Sequence, residues 1–216
     1  MKTPTVLVTT ASTSGISRNV VGPQNGFDVS FHQFDKTNIP SRKNAMHPRL
    51  AGKIYKMLAW ELYPGFDYYI WIDSNFALSR EDAVSYLVDK TSGSDAAFFM
   101  HPNRKTVREE LDFCINGMKA GDQYLIERYE GEDMEKQVSQ YLLDPWFNDD
   151  LLLHGAAFIY SKDLVQNRKD NVMKEWFHHN CLYSVQDQLS LPYLLYKYKV
   201  NFNVISENAY SSIYLK

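Results

Sequence analysis

The chain has 216 residues, 44% hydrophobic and 23% charged, which suits a globular protein with a sizeable core and excludes a disordered polyelectrolyte. Its formal charge is −3 and its basic residues are scattered, which argues against a nucleic-acid surface. No apolar run reaches the ~18 residues of a membrane span, and Cys114 and Cys181 lack metal-knuckle spacing and read as buried, reduced thiols.

Thr5–Thr10 (TVLVTT) is short, apolar and β-branched, and reads as a buried first strand. A polar loop, Ala11–Asn25, leads to a second strand at Phe27–Phe34. Pro48–Tyr63 reads as one helix, with Pro48 in its first turn and Pro64-Gly65 closing it. Phe66–Ile72 (FDYYIWI) is almost continuously apolar, as a strand covered on both faces is. Ser79-x-x-Asp82 has the form of a capping box opening a helix. Asp95–Met100 reads as a fourth strand, and Thr106-x-x-Glu109 opens a helix to about Lys119. Gly121–Leu143 is polar and helical in pieces. Leu151–Tyr160 is a strand interrupted by His154-Gly155. Helices at about Leu164–His179 and Val185–Lys197 and a strand, Val200–Ser206, complete the order.

Strands alternating with helices predict an α/β fold, one domain over 1–216 around a mainly parallel, mixed sheet flanked by helices. In such sheets the ligand crevice lies beyond the carboxyl ends of the strands, so the residues after each strand are the candidates. Asp73-Ser74-Asn75 follows FDYYIWI and offers two hard oxygen ligands, the kind preferred by Mn²⁺ or Mg²⁺ on a diphosphate. An Asx turn accounts for the same residues. Arg49, Lys53 and Lys56, at i, i+4 and i+7, share a helix face opposite a stripe of Leu50, Ile54, Met57 and Leu58. Arg49 lies in the first turn, where the helix dipole disfavours a cation, so either a bound anion or a solvated basic face explains the stripe.

His101-Pro102-Asn103-Arg104 follows the fourth strand, and Arg104 suits a phosphate or a sugar hydroxyl. Glu109 is better explained as a cap. His154-Gly155 allows close approach of a ligand or backbone, with the imidazole as ligand or as a satisfied core histidine. Asp187-Gln188 is either a cap for which Ser184 is the partner, or a pair that binds sugar hydroxyls with Asp187 as general base. Trp146 to Asp150 is an aromatic-acidic loop suited to sugar C–H faces, or simply a surface turn. No GxxxxGK[ST], GxGxxG or GxSxG motif is present.

Lys53-x-x-Lys56 leading to YYIWIDSNF, then HPNR, EELDFC and DQLSLPYLLYK, resembles a glycosyltransferase-like family with the GT-A fold. Members occur in plant cell-wall synthesis, bacterial capsule loci and large algal viruses, and the likeness extends to a viral branch acting on capsid glycans. The likeness runs from Lys53 to Lys197, with Asn75 in place of the usual second carboxylate of a DxD motif. It implies a nucleotide-binding half to about residue 100 and an acceptor-side half beyond. It also implies Thr9, Thr10 and Ala11 beside base and ribose, with Ser74 next to the ribose. Asp73 and Asn75 would hold Mn²⁺ or Mg²⁺. Lys53, Arg104 and His154 would sit on diphosphate or sugar, joined by Arg49, and Asp187 would lie near the reacting carbon. The implied reaction moves a hexosyl or deoxyhexosyl group from a UDP-sugar, such as UDP-glucose or UDP-rhamnose, to a glycan or glycoprotein acceptor. Retention is favoured because no base stands out, and the expected address is cytoplasmic, in the host for a viral chain. A non-catalytic carbohydrate- or nucleotide-binding module and a metal-dependent nucleotidyltransferase are the alternatives.

Overall fold

The computed structural model describes residues 2–13, 15, 20–40, 46–166 and 171–216. Six strands form one sheet: β1 (Thr5–Ser12), β2 (Asp28–Asp35), β3 (Tyr68–Ile72), β4 (Ala96–Met100), β5 (Leu153–Ser161) and β6 (Phe202–Ile205), in the order β2-β1-β3-β5-β4-β6. β1 pairs in parallel with β2 and β3, and β4 with β6, whereas β5 runs antiparallel between β3 and β4. The expected mixed, mainly parallel α/β sheet is therefore observed.

The helices among the described residues are α1 (Pro48–Met57), α2 (Ala59–Leu62), α3 (Ala83–Lys90), α4 (Val107–Lys119), α5 (Gln123–Tyr129), α6 (Met134–Leu142), α7 (Lys162–Gln166), α8 (Val172–Leu182) and α9 (Asp187–Lys197). Strand alternation sorts their packing. Leu7, Tyr69, Trp71, Phe98, Phe158 and Tyr160 face one layer with Met57, Trp176 and Leu191. Val6, Val8, Ile70, Ile72, Phe99 and Ile159 face the other, with Val84, Leu87 and Leu215. A third cluster, including Val107, Cys114, Leu125 and Val138, welds α4, α5 and α6 together.

Several local expectations need correction. Pro48–Tyr63 is two helices, because the chain breaks at Leu58 (φ −114°, ψ 14°) and restarts as α2. Ser79-x-x-Asp82 is not a capping box. Helix α3 begins at Ala83, Asp82 pairs with Arg80, and the Gln24 side chain, distant in sequence, accepts from Val84 N–H. Ser184 does not cap α9 either, since its hydroxyl donates to Gln137 Oε1. Cys181 is exposed, not buried; both cysteines are free. The Leu164–His179 stretch divides into α7 and α8, and its residues 167–170 lie outside the described residues, as do 14 and 16–19 of the first polar loop. No described helix is long and apolar enough to cross a membrane.

Candidate functional site

A cavity of about 570 Å³ opens where β1, β3 and β4 end and β5 begins. Each strand end delivers a piece of wall: Ala11, Ser12 and Thr13 from β1, Asp73–Asn75 from β3, and His101–Arg104 from β4. Antiparallel β5 contributes its amino end instead. Phe98 pairs with Phe158, but the next residue, Phe99, pairs with His154, so Gly155, Ala156 and Ala157 form a bulge on the β4 side, and Gly155 and Ala156 line the cavity. Asp73 N–H donates to Ala156 O at 2.7 Å, fixing the end of β3 to that bulge.

Helix α1 lies along the wall with Arg49, Lys53 and Lys56 all lining the cavity. It approaches β1 closely at Gly52, where a Cβ would meet Thr13 Cγ2 at 3.2 Å. Asp187, in the first turn of α9, receives Lys53 at 2.5 Å and Lys56 at 2.6 Å. Its own carbonyl accepts from Trp176 Nε1 at 2.9 Å. Burial alone raises a carboxyl, yet the two ammonium groups outweigh it and hold Asp187 at about 2. Burial brings Lys53 down to about 8 in spite of that partner. Lys56 is 4% exposed and lies 5.4–5.9 Å from the ring centres of Trp71, Phe158 and Trp176. Gly155 makes room for this group: a Cβ there would stand 3.0 Å from Lys56 Nζ and 3.3 Å from Asp187 Oδ1.

Arg104 pairs with Glu110, a buried carboxylate that also accepts from Gln186 Nε2 at 2.6 Å. The Nδ1 of His101 accepts from the backbone N–H groups of Asn103 and Arg104, at 3.2 and 3.0 Å. Burial, helped by the Arg104 charge, pulls His101 down to about 4, so it is a neutral loop anchor. Glu109 behaves as a cap: Thr106 Oγ1 accepts from Glu109 N–H, and Glu109 Oε2 accepts from Lys105 N–H.

Asp73 and Asn75 stand on one rim, with Trp71 Nε1 donating to Asp73 Oδ1 at 2.9 Å. The segment is also a turn, closed by Phe76 N–H on Asp73 O. Among the described residues no three His, Cys, Asp or Glu side chains group to hold a metal. A Mg²⁺ or Mn²⁺ arriving on a diphosphate needs only one or two protein oxygens, since phosphate and water fill the rest. Asp73 and Asn75 fit that form.

Thr9 and Thr10 do not line the cavity. They are 2% and 0% exposed, and Thr9 Oγ1 donates to Tyr55 O at 3.2 Å, joining β1 to α1. Of the proposed first-strand trio only Ala11 reaches the wall, followed by Ser12 and Thr13. The aromatic-acidic loop lies elsewhere. Trp146, Phe147, Asn148 and Asp150 line a separate groove that shares no residue with this cavity, and Asp149 accepts from the N–H groups of Val107 and Arg108 at the start of α4.

Wall residues that sequence reasoning passed over are Glu110, Arg128 and Tyr210. Glu110 has a legible signal, since Val107, Glu110 and Cys114 share the buried face of α4. Arg128 and Tyr210 carry no local pattern that marks them. Among the described residues five cations (Arg49, Lys53, Lys56, Arg104, Arg128) line the cavity against three carboxylates (Asp73, Glu110, Asp187). Three buried polar atoms without a hydrogen-bond partner, Arg128 Nε, His154 Nδ1 and Gln188 Oε1, belong to wall residues. Orphaned buried polar atoms are costly; four others among the described residues, on Trp60, Tyr86, Tyr160 and Asn180, lie outside this wall.

Fold and cavity together define an α/β protein whose strand ends open on a cavity with more described cations than carboxylates. Residues 39–215 match the family model described as TOD1/MUCI70, glycosyltransferase-like domain, and the chain belongs to that family. Its general chemistry is thus glycosyl transfer. No curated protein matches the sequence.

Among solved structures, the chain is similar to a glycosyltransferase involved in glycosylation of the major capsid of PBCV-1. Identity is 10% over 94% of this chain and 83% of that one, with a TM-score of 0.46. It is similar to mouse xyloside xylosyltransferase 1 at 8% identity over 94% and 84%, TM-score 0.46. It is also similar to the WbbM bifunctional glycosyltransferase at 11% identity over 94% and 38%, TM-score 0.48. None of the three bears on the choice of sugar.

Proposed function

We propose that this chain transfers a hexosyl or deoxyhexosyl group from a UDP-sugar, such as UDP-glucose or UDP-rhamnose, to a glycan or glycoprotein acceptor. The observation that carries the donor reading is the excess of two positive charges, with three orphaned polar atoms, in one cavity of a chain whose net charge is −3. A nucleoside diphosphate sugar supplies both what the cations and what the orphans need: phosphate anions and hydroxyl groups.

Asp73 and Asn75 would hold Mn²⁺ or Mg²⁺, which when bound offsets negative charge on the departing diphosphate. The chain's own residues do the rest. Ala11, Ser12 and Thr13 border the nucleoside, with Ser74 at the ribose. Lys53 and Lys56, fixed on Asp187, present an excess of one positive charge to the leaving group, an electrostatic contribution that needs no rearrangement during the reaction. His154 and Gln188 present buried polar atoms to sugar hydroxyls. Asp187 is the anchor of the lysines rather than a base, because a carboxyl held at about 2 has little drive to take a proton. With Glu110 tied to Arg104 and Asp73 given to the metal, no carboxylate among the described wall residues is left as a general base, which supports retention of anomeric configuration. On the mouth stand Phe113, Tyr124 and Tyr210, 47%, 58% and 56% exposed, aromatic faces suited to an acceptor glycan.

Asp73→Ala tests the reading. Release of UDP from UDP-glucose or UDP-rhamnose with Mn²⁺ is expected to drop at least about a hundredfold, the scale of losing a charge-stabilising group. Circular dichroism is expected to be unchanged, because Asp73 is only partly buried. Undiminished UDP release by the variant would falsify the assignment.

A further inference from the structure

We propose that Arg49 and Arg128 form a two-guanidinium clamp, one from α1 and one from α5, that takes the donor's diphosphate. This rests on the nucleotide-sugar reading and identifies the charges that bind the donor.

Lys53 and Lys56 are committed to Asp187 and Arg104 to Glu110. Among the described residues no ion pair engages Arg49 or Arg128. The Arg128 guanidinium lies on Tyr124, its Cζ 3.6 Å from the ring centre, and a hydrogen bond to Tyr129 takes part of it. Stacking sets the plane of the fork but satisfies no N–H, and the buried Nε has no partner. Arg49 sits in the first turn of α1, where the helix N-terminus disfavours a cation; burial disfavours its charge first and Arg128 next, with Asp73 among the groups that favour it. Like charges held together raise the protein's energy, and an anion between them removes that cost. Guanidinium forks suit phosphate oxygens two at a time, where an ammonium acts as a point charge. These two guanidinium groups, lining the cavity without an ion-pair partner among the described residues, equal in number the negative charges of a sugar diphosphate. Donor binding therefore does not depend on the divalent cation, which adds to an affinity the arginines already supply.

Calorimetric titration of the full chain with UDP, UMP and inorganic pyrophosphate, in EDTA and in Mn²⁺, tests this. Wild type is expected to bind UDP and pyrophosphate in EDTA. Arg49→Gln and Arg128→Gln are each expected to weaken both by about tenfold or more, the scale of a charge-assisted hydrogen bond. UMP, with one phosphate, should lose less, and Arg128→Lys should fall between. Melting of the unliganded Arg128→Gln protein is expected no lower than wild type, since a repulsion has been removed. UDP affinity within about twofold of wild type in both Gln variants overturns the clamp. So does wild-type binding that requires Mn²⁺, or a collapse in the melting temperature of Arg128→Gln. Arg128-dependent binding of pyrophosphate without binding of UDP keeps the clamp and removes the nucleotide reading.

Discussion

At the scale of single residues, the site is governed by one carboxylate that serves two ammonium groups. Asp187 is 4% exposed, and removing its charge leaves Lys53 and Lys56 facing each other in the wall. Asp187→Asn is expected to destabilise the fold by about 3 kcal/mol at neutral pH, the scale of breaking a buried pair, read by denaturant unfolding. The loss should shrink at alkaline pH, where an unpaired lysine sheds its proton; a pH-independent loss would point to packing instead. Sequence reading placed Arg49, Lys53 and Lys56 on one face because helical spacing is local information. That two of the three converge on Asp187, 134 residues beyond Lys53, is a product of tertiary structure, and remoteness in sequence likewise hid Arg128 as the neighbour of Arg49.

At the scale of elements, what was legible followed the same division. The buried run YYIWI and the Thr106 cap carry their own signals, and β3 and α4 lie where expected. Helix α3 was misplaced because its first turn is satisfied by Gln24, and the break at Leu58 has no proline or glycine to announce it. The β5 bulge was visible only as a glycine in an apolar strand; its purpose, space for Lys56 and Asp187, needs the helices in place. Asp149 is a further case, read as a surface acid and found with Oδ1 and Oδ2 on the N–H groups of Val107 and Arg108, at 2.6 and 3.1 Å. Asp149→Ala is expected to cost about 1–2 kcal/mol, as loss of a helix N-terminal acceptor does. Its hydrogen-exchange signature should be faster exchange confined to the first turn of α4; protection unchanged there would show that Thr106 suffices.

Across the whole molecule, acid sensitivity has an identifiable source. Burial pulls His101 and His179 down to about 4 from an ordinary 6.5. In the folded state each therefore binds fewer protons than when unfolded between those values, so stability is complete above about pH 6.5 and declines as pH falls towards 4. Asp187, at about 2, holds its charge throughout that window and adds its own loss only below its ordinary 3.8. Melting temperature is expected to fall steadily over that interval, and a His179→Gln variant should show a shallower decline. His179 is the more telling site, since it does not line the cavity and belongs to a buried chain of Tyr141, Gln137 and Ser184.

The order of the strands also has a kinetic meaning. β3 and β4 are not neighbours; β5, whose residues 153–161 are translated after both, lies between them. Until that segment leaves the ribosome, Tyr68–Ile72 can pair on one edge with β1 but its other edge is open, and Ala96–Met100 has neither of its native neighbours, β5 and β6. Such distant closures are slow to form and prone to wrong partners. The strand that bulges at the cavity is thus also the one that joins the two halves of the sheet, and it arrives after both β3 and β4.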